Sequence, residues 1–222
     1  MTIRIRSTTG VGTGICLAGA TLLMLAAATP SLAGCEPFPR YAGCKRTTDQ
    51  RDLIDIKASH PLAPFSARDS VVWKIPKLEA TSVGELPDPM TTDYSICFYF
   101  LDDAEEFRLV HELTAPAGLG CGRPRCWTRN RRGGVGYNGG PIRPDGIASF
   151  RLNPGDDGKA QLSLVGRGAN LEFPGAWRIY GGEAMVQVQA GASCWSALYL
   201  NFGSPPGIRT NSRYRMVGST IR

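Results

Sequence analysis

The sequence between residues 147 and 165 reads IASFRLNPGDDGKAQLSLV. In its second half, Ala160, Leu162 and Leu164 alternate with polar residues. This period of two predicts a strand with one buried face and one wet face, as in antiparallel sheets. The NPGDDG segment at 153–158 combines residues that tolerate positive φ with residues that cap turns. The stretch therefore predicts two antiparallel strands joined by a hairpin turn.

The same pattern recurs along the chain. From Leu53 onward, short apolar stretches alternate with Gly, Pro, Asn and Asp clusters about every ten residues, and no long stretch has a helical period. Strands are predicted at Ser70–Ile75, Tyr94–Leu101, Phe107–Leu113, Ile147–Leu152, Ala160–Val165, Met185–Ala190 and Cys194–Phe202. In the sixth, two valines alternate with Gln187 and Gln189, which predicts another half-wet strand. With 27 glycines and 16 prolines, concentrated between the strands, the sequence predicts an all-β fold, an antiparallel β-sandwich (immunoglobulin-like or jelly-roll-like) with long loops.

Residues 1–33 have the layout of a bacterial signal peptide. Two arginines precede an apolar run from Ile15 to Ala28, which is shorter than the roughly 20 residues of a transmembrane helix. Ser31-Leu32-Ala33 places small residues where signal peptidase needs them, so cleavage is expected before Gly34. The remaining 189 residues, with a net charge of +4, suffice for one domain with a proper core.

Leu32-Ala33-Gly34-Cys35 also matches a bacterial lipobox, in which the cysteine is acylated and becomes the N-terminus. A lipid would then be the protein's one attachment to a membrane. Without Cys16 the mature chain has six cysteines, which can all pair, whereas lipidation of Cys35 leaves one unpaired thiol in an oxidising compartment. Cysteine parity therefore favours an extracellular or periplasmic soluble protein over the alternative, an outer-membrane lipoprotein.

Residues 34–51 contain two cysteines, two prolines and no apolar periodicity, so they predict an irregular N-terminal arm ahead of a single β-domain at 52–218. Six cysteines allow 15 pairings, among which spacing alone does not decide. The pairing that spacing favours comprises a bridge within the arm, a bridge between two strands distant in sequence and a small loop. These bridges are Cys35–Cys44, Cys97–Cys194 and Cys121–Cys126.

An ordered set of short motifs extends from Leu53 to Gly218. They are YSICFY at 94–99, PRCW at 124–127 after Cys121, PDGI at 144–147, GKA at 158–160, GRGANL at 166–171, CW at 194–195 and TNSRY at 210–214. In this order they resemble an uncharacterised β-rich domain that recurs in secreted and surface proteins of myxobacteria and related deltaproteobacteria. This chain departs from similar sequences by carrying arginines where they carry mostly lysines between the CW and PDG motifs, and by inserting residues 180–182. The resemblance implies a β-rich exported protein and brings no assigned activity.

The most chemically conspicuous stretch is 123–137, which is rich in arginine and glycine. Its candidate ligand-binding residues are Arg123, Arg125, Trp127, Arg129, Arg131, Arg132 and Tyr137. Guanidinium groups bind carboxylate or phosphate through paired hydrogen bonds, and aromatic rings stack on sugars. Outside the cell, such a stretch fits an anionic polysaccharide or another envelope component, and no nucleic acid partner is expected. A solvated loop is the commoner role of such a stretch, as core burial is for Trp127 and Trp195.

The sequence contains neither the G-x-S-x-G nor the H-E-x-x-H motif of common hydrolases. With two histidines and no paired C-x-x-C motif, it predicts no metal site, no cofactor and no catalytic residue, and Asp102, Glu105 and Glu112 are only nominal acid-base candidates. We therefore expect a non-enzymatic envelope or extracellular domain, with a secreted hydrolase that acts on a polymer as the alternative. A cleft with converging acidic or histidine side chains would favour the hydrolase, and a closed sandwich with a projecting arginine loop would favour the binding protein.

Overall fold

A computed structural model of the chain gives the fold. The residues that it describes are 34–49, 51–59, 67–119, 121, 125–140, 144–173, 182–202 and 211–217. The predicted signal peptide, residues 1–33, lies outside these ranges. Within them, no helix is long and apolar enough to cross a membrane.

Strands make up the regular structure of the described residues, apart from single-turn 3-10 helices at Val83–Glu85, Pro144–Gly146 and Ala169–Leu171. The strands are β1 (Lys45–Arg46), β2 (Leu53–Ser59), β3 (Ser70–Leu78), β4 (Tyr94–Leu101), β5 (Phe107–Ala115), β6 (Trp127–Arg129), β7 (Val135–Asn138), β8 (Ile147–Asn153), β9 (Ala160–Arg167), β10 (Gly182–Ala190), β11 (Ser193–Phe202) and β12 (Asn211–Val217). All seven predicted strands are present. The bounds of β4 are as predicted, and the other six extend one to three residues further.

The strands form two sheets. The smaller sheet has the order β1-β11-β10-β4-β5, and the larger has the order β12-β2-β3-β9-β8-β7-β6. Neighbouring strands are antiparallel, except for the parallel pair β1 and β11. The chain passes several times between the sheets: β2–β3 and the consecutive pairs from β6 to β9 belong to the larger sheet, and β4–β5 and β10–β11 belong to the smaller. The predicted all-β fold built from two largely antiparallel sheets is confirmed.

One continuous hydrophobic cluster joins the inward faces of the two sheets, as in a sandwich. Trp73 and Phe150 reach it from the larger sheet, and Phe98 and Trp195 from the smaller. Trp195 is 1% exposed and Trp127 is 7% exposed, so the core role expected for both tryptophans is confirmed. Burial of each large apolar side chain contributes about 1.5–3 kcal/mol, which makes this cluster the main source of stability.

The hairpin turn predicted at 153–158 joins β8 to β9. Gly158 has a φ of +69°, the left-handed conformation that glycine adopts without steric cost. Gly155 and Thr81 exchange two backbone hydrogen bonds of 2.9 Å. The turn is therefore confirmed, and it is also tied to the segment that follows β3.

The outer face of the smaller sheet is covered by residues 34–44 of the N-terminal arm. Gln187 and Gln189, expected to face water, are 0% and 3% exposed. The Arg40 N–H donates to Gln187 Oε1 at 3.0 Å, and Gln187 Nε2 donates to the Arg40 carbonyl at 2.8 Å. The Glu36 N–H donates to Gln189 Oε1 at 3.3 Å. The expected wet face of β10 is therefore wrong, because its glutamines hydrogen-bond the arm's backbone instead of water.

Two disulfides fix the arm to this face, Cys35–Cys97 and Cys44–Cys194. The predicted pairs Cys35–Cys44 and Cys97–Cys194 are wrong. Cys97 lies on β4 and Cys194 on β11, with β10 between them. Two strand spacings amount to about 10 Å, which exceeds the Cα separation that a disulfide spans. Each of these cysteines therefore bonds to the arm that crosses over both strands.

The three bridges close loops of very different length. The sequence separation is 150 residues for Cys44–Cys194 and 5 residues for Cys121–Cys126, the one bridge whose predicted pairing is confirmed. In the chain-entropy model, a bridge stabilises by about 5 kcal/mol for the longer loop and about 2 kcal/mol for the shorter. We expect Cys44→Ala/Cys194→Ala to lower the free energy of urea unfolding about twice as much as Cys121→Ala/Cys126→Ala. Equal losses in the two double variants would contradict this ranking.

Candidate functional site

The arginine-rich stretch folds as a hairpin of β6 and β7 at the edge of the larger sheet. In its turn, Asn130 Oδ1 accepts hydrogen bonds from the N–H groups of Arg132 at 2.9 Å and Gly134 at 3.0 Å. Asn130 Nδ2 donates to Asn153 Oδ1 at 2.7 Å. A Cβ on Gly134 would lie 2.6 Å from Asn153 Oδ1, so glycine permits this close approach. The turn is therefore fixed against the connection between β8 and β9.

This contact creates a depression of about 360 Å³ on the surface. We call its polar lining the arginine surface, which consists of Arg131, Arg132, Lys159, Asn130, Asn153 and Gln161. Arg131 and Arg132 are exposed, and neither forms an ion pair with a carboxylate among the described residues. Lys159 Nζ lies 3.1 Å from the exposed carboxylate of Asp156. The surface thus presents two uncompensated guanidinium groups beside three amides.

The other predicted site residues do not join this surface. Trp127 and Tyr137 are buried, and their ring centroids lie 4.9 Å apart, so neither ring is free to stack on a ligand. Arg129 is exposed and donates to backbone carbonyls. Arg125 is exposed at the opposite end of β6, and Arg123 lies outside the described residues. The two aromatic rings of the stretch therefore belong to the core, as expected for Trp127, and the exposed part of the stretch consists of its arginines.

Sequence reasoning missed Asn130, Asn153, Lys159 and Gln161. The last three belong to the β8–β9 hairpin, which pairs with the arginine hairpin only in the folded sheet. The amide-to-amide hydrogen bond between Asn130 and Asn153 links residues 23 positions apart. The NPGDDGK sequence had indicated a turn, but no local pattern indicates which loop lies beside it.

Arg132 also lines a neighbouring depression of about 450 Å³, together with Lys45, Glu85 and Asp156. Glu85 lies 3.0 Å from Lys45 Nζ. A hydrogen bond with the backbone of Ser82 and another with Lys45 lower the pKa of Glu85 below its ordinary value. The acid of a glycoside hydrolase has a raised pKa. Glu85 therefore does not have the raised pKa that the role of such an acid requires.

The nominal catalytic candidates support local structure. Asp102 accepts hydrogen bonds from the N–H groups of Ala104 and Glu106, both at 2.9 Å, and these interactions lower its pKa. Glu105 belongs to the same turn between β4 and β5, whereas Glu112 lies on β5. Among the described residues, no cluster of His, Cys, Asp and Glu could hold a metal ion.

Burial shifts the pKa values of two ionisable side chains, His111 and Asp52, in opposite directions. His111 of β5 contacts the ring of Phe173, with centroids 4.9 Å apart, and its burial lowers its pKa to about 4. Asp52, which directly precedes β2, is 0% exposed, and burial raises its pKa to about 6. The hydroxyl of Tyr199, which interacts with Asp52, accepts a hydrogen bond of 2.8 Å from Trp73 Nε1. These groups contribute to the pH dependence of stability and lie outside the two depressions.

Comparison of the chain with known proteins gives no match to a family model, to a curated protein or to a solved structure. The resemblance to a myxobacterial domain stays a prediction. The proposed function therefore rests on the arginine surface and on the three disulfides.

Asp52 and His111 are expected to have opposite effects on stability as the pH falls. Protonation of His111 below its ordinary pKa of 6.5 favours the unfolded chain, until the folded pKa of about 4 is reached. Protonation of Asp52 favours the folded chain between about pH 6 and its ordinary value of 3.8. Each effect amounts to about 3 kcal/mol, so the two nearly cancel in the wild type.

Asp52→Asn should make the protein lose stability from pH 7 to pH 4 relative to the wild type, because His111 still titrates. His111→Gln should make it gain stability over the same interval. Urea unfolding at both pH values measures the two differences, and Asp103→Asn, in the exposed turn between β4 and β5, serves as the control. Unchanged pH differences in both variants would refute the assignment.

Proposed function

We propose that this protein is an exported, non-enzymatic β-sandwich that binds an anionic polysaccharide through the arginine surface. Three disulfides indicate an oxidising, non-cytoplasmic environment. The signal-peptide pattern at residues 1–33 supports bacterial export to the same kind of compartment. Anionic polysaccharides of the envelope or the extracellular matrix are the polyanions that such a protein encounters.

The observation that carries this proposal is the uncompensated charge of Arg131 and Arg132. A guanidinium group holds a carboxylate or sulfate by two parallel hydrogen bonds, which gives both affinity and orientation. The side-chain amides of Asn130, Asn153 and Gln161 add donors and acceptors that suit sugar hydroxyl groups. The Asn130 hydrogen bonds fix the turn before binding, so little conformational entropy is lost when a ligand binds.

The geometry favours charge and hydrogen bonding over ring stacking as the mode of recognition. Trp127 and Tyr137, the aromatic residues of the stretch, face the core. Binding should therefore weaken strongly with salt, because exposed ion pairs are screened within about 10 Å at 0.1 M ionic strength.

The runner-up, a hydrolase, receives less support from the same surface. Glu85 has a lowered pKa and an ammonium partner, and Asp156 forms an ion pair with Lys159. The carboxyl group with a raised pKa is that of Asp52, which is buried and remote from solvent. Among the described residues of the two depressions, both carboxylates are thus paired with an ammonium group.

The disulfide of Cys35 supports a soluble protein over a lipoprotein, because the same sulfur cannot also carry a lipid thioether. We expect the intact mass of the protein from its native host to fit a chain that starts at Gly34. It should rise by six hydrogen masses on reduction of the three bridges. A diacyl or triacyl adduct on a chain starting at Cys35 would overturn this part of the proposal.

Arg131→Gln/Arg132→Gln should weaken binding to heparin, a sulfated polysaccharide, at least tenfold, since each charge-assisted hydrogen bond contributes about 1.5–3 kcal/mol. The matched control, Arg125→Gln/Arg167→Gln, removes the same charge from exposed positions outside the arginine surface. Isothermal titration calorimetry gives both affinities, and the salt needed for elution from a heparin column provides a second readout. Equal losses in the two double variants would show that the surface acts only through net charge.

A further inference from the structure

A third cavity, of about 270 Å³, lies between the N-terminal arm and the outer face of the smaller sheet. Its floor includes the apolar side chains of Phe107, Met185 and Leu198, and its wall includes Tyr41 and Arg46 of the arm. The volume is near the lower end of small-ligand pockets, which range from about 300 to 1,000 Å³. It therefore suits a small molecule rather than a polymer.

The sheet register explains why the cavity has an apolar floor. On the outer face, Ser196 pairs with Gln187, and this row hydrogen-bonds the backbone of the arm. Two residues further along each strand, Leu198 pairs with Met185. The sheet thus changes from a polar row to an apolar row at the edge of the arm, and the cavity lies over the apolar row.

Charge in the cavity is unevenly distributed. The guanidinium group of Arg40 already has partners within the protein. Its Nε lies 2.8 Å from a carboxylate oxygen of Glu36, and one Nη donates to the Gly191 carbonyl at 2.8 Å. Arg46 is exposed. Its guanidinium group donates one hydrogen bond of 3.3 Å to the Tyr41 carbonyl, and its backbone N–H donates to Glu79 Oε2 at 3.0 Å. No carboxylate among the described residues forms an ion pair with it. Arg46 therefore has donors available for an anion.

Glu183 is the one carboxylate among the described residues that line this cavity. The backbone of Arg46 pairs with Ser196, which pairs in turn with Gln187. Glu183 precedes Gln187 by four residues on β10, which corresponds to about 13 Å along a strand. The cavity thus has a cationic end near Arg46 and an acidic end across the apolar floor.

We propose that this cavity binds a small amphipathic anion of the medium-chain fatty acid class. The carboxylate pairs with Arg46, and the alkyl chain lies on Met185, Leu198 and Phe107. This site is separate from the arginine surface, so either proposal can fail while the other holds. The cavity belongs to the oxidised protein, because Cys44, which lines it, forms a disulfide with Cys194.

The test is isothermal titration calorimetry of the mature, oxidised protein with decanoate, decanol and decyltrimethylammonium, each below its micellar concentration. We expect decanoate to bind with one-to-one stoichiometry and at least tenfold more tightly than decyltrimethylammonium. Arg46→Gln should weaken decanoate at least tenfold and leave decanol unchanged. Arg131→Gln/Arg132→Gln, in the arginine surface, should leave decanoate binding unchanged.

Leu198→Trp fills the cavity and should abolish binding of all three probes, with circular dichroism to verify that the variant folds. Should that variant not fold, Arg46→Gln, at an exposed position, decides the question alone. The proposal is overturned by absence of decanoate binding, by equal or tighter binding of the cationic probe, or by decanoate affinity that Arg46→Gln does not change.

Discussion

The attachment of the N-terminal arm to the smaller sheet is the constraint on which much of this structure depends. The side-chain amides of Gln187 and Gln189 hydrogen-bond the backbone of the arm and hold it on the outer face of the sheet. Without the arm, these two polar side chains would be open to water, and Cys97 and Cys194 would have no bonding partners on this face. The arm also forms one wall of the amphipathic cavity, so a segment without apolar periodicity helps to define a candidate site.

The two candidate sites lie on different sheets and would bind their ligands through different interactions. The arginine surface is an exposed, preorganised set of hydrogen-bond donors at the edge of the larger sheet. The cavity lies on the outer face of the smaller sheet. Its floor is apolar, and the guanidinium group of Arg46 would orient a bound anion. An envelope protein that contacts both a charged polymer and an amphiphile would need two such surfaces, and disulfides hold the cavity in place independently of the arginine hairpin.

Periodicity predicted seven of the longer strands because each buries a face that its own residues define. The short strands β1, β6 and β7 were missed, since two to four residues cannot establish a period. β12 was missed because its sequence is largely polar, and β2 was missed although Ile54 and Ile56 alternate with Asp55 and Lys57. The bridges of Cys97 and Cys194 were mispaired because pairing depends on strand order, which spacing does not reveal. For the same reason, the arginines of the site were found from sequence, but Asn153 and Lys159 were not.

The hydrogen bond from Trp73 to Tyr199 links β3 of one sheet to β11 of the other inside the core. Apolar attraction is non-directional, so by itself it constrains the relative placement of two packed sheets less sharply than a hydrogen bond does. A directional bond between them is satisfied in one alignment only, and breaking it leaves buried polar groups unpaired. Together with the hydrogen bond from Trp195 Nε1 to Thr81 Oγ1, this contact therefore adds a directional constraint on how the two sheets are placed against each other.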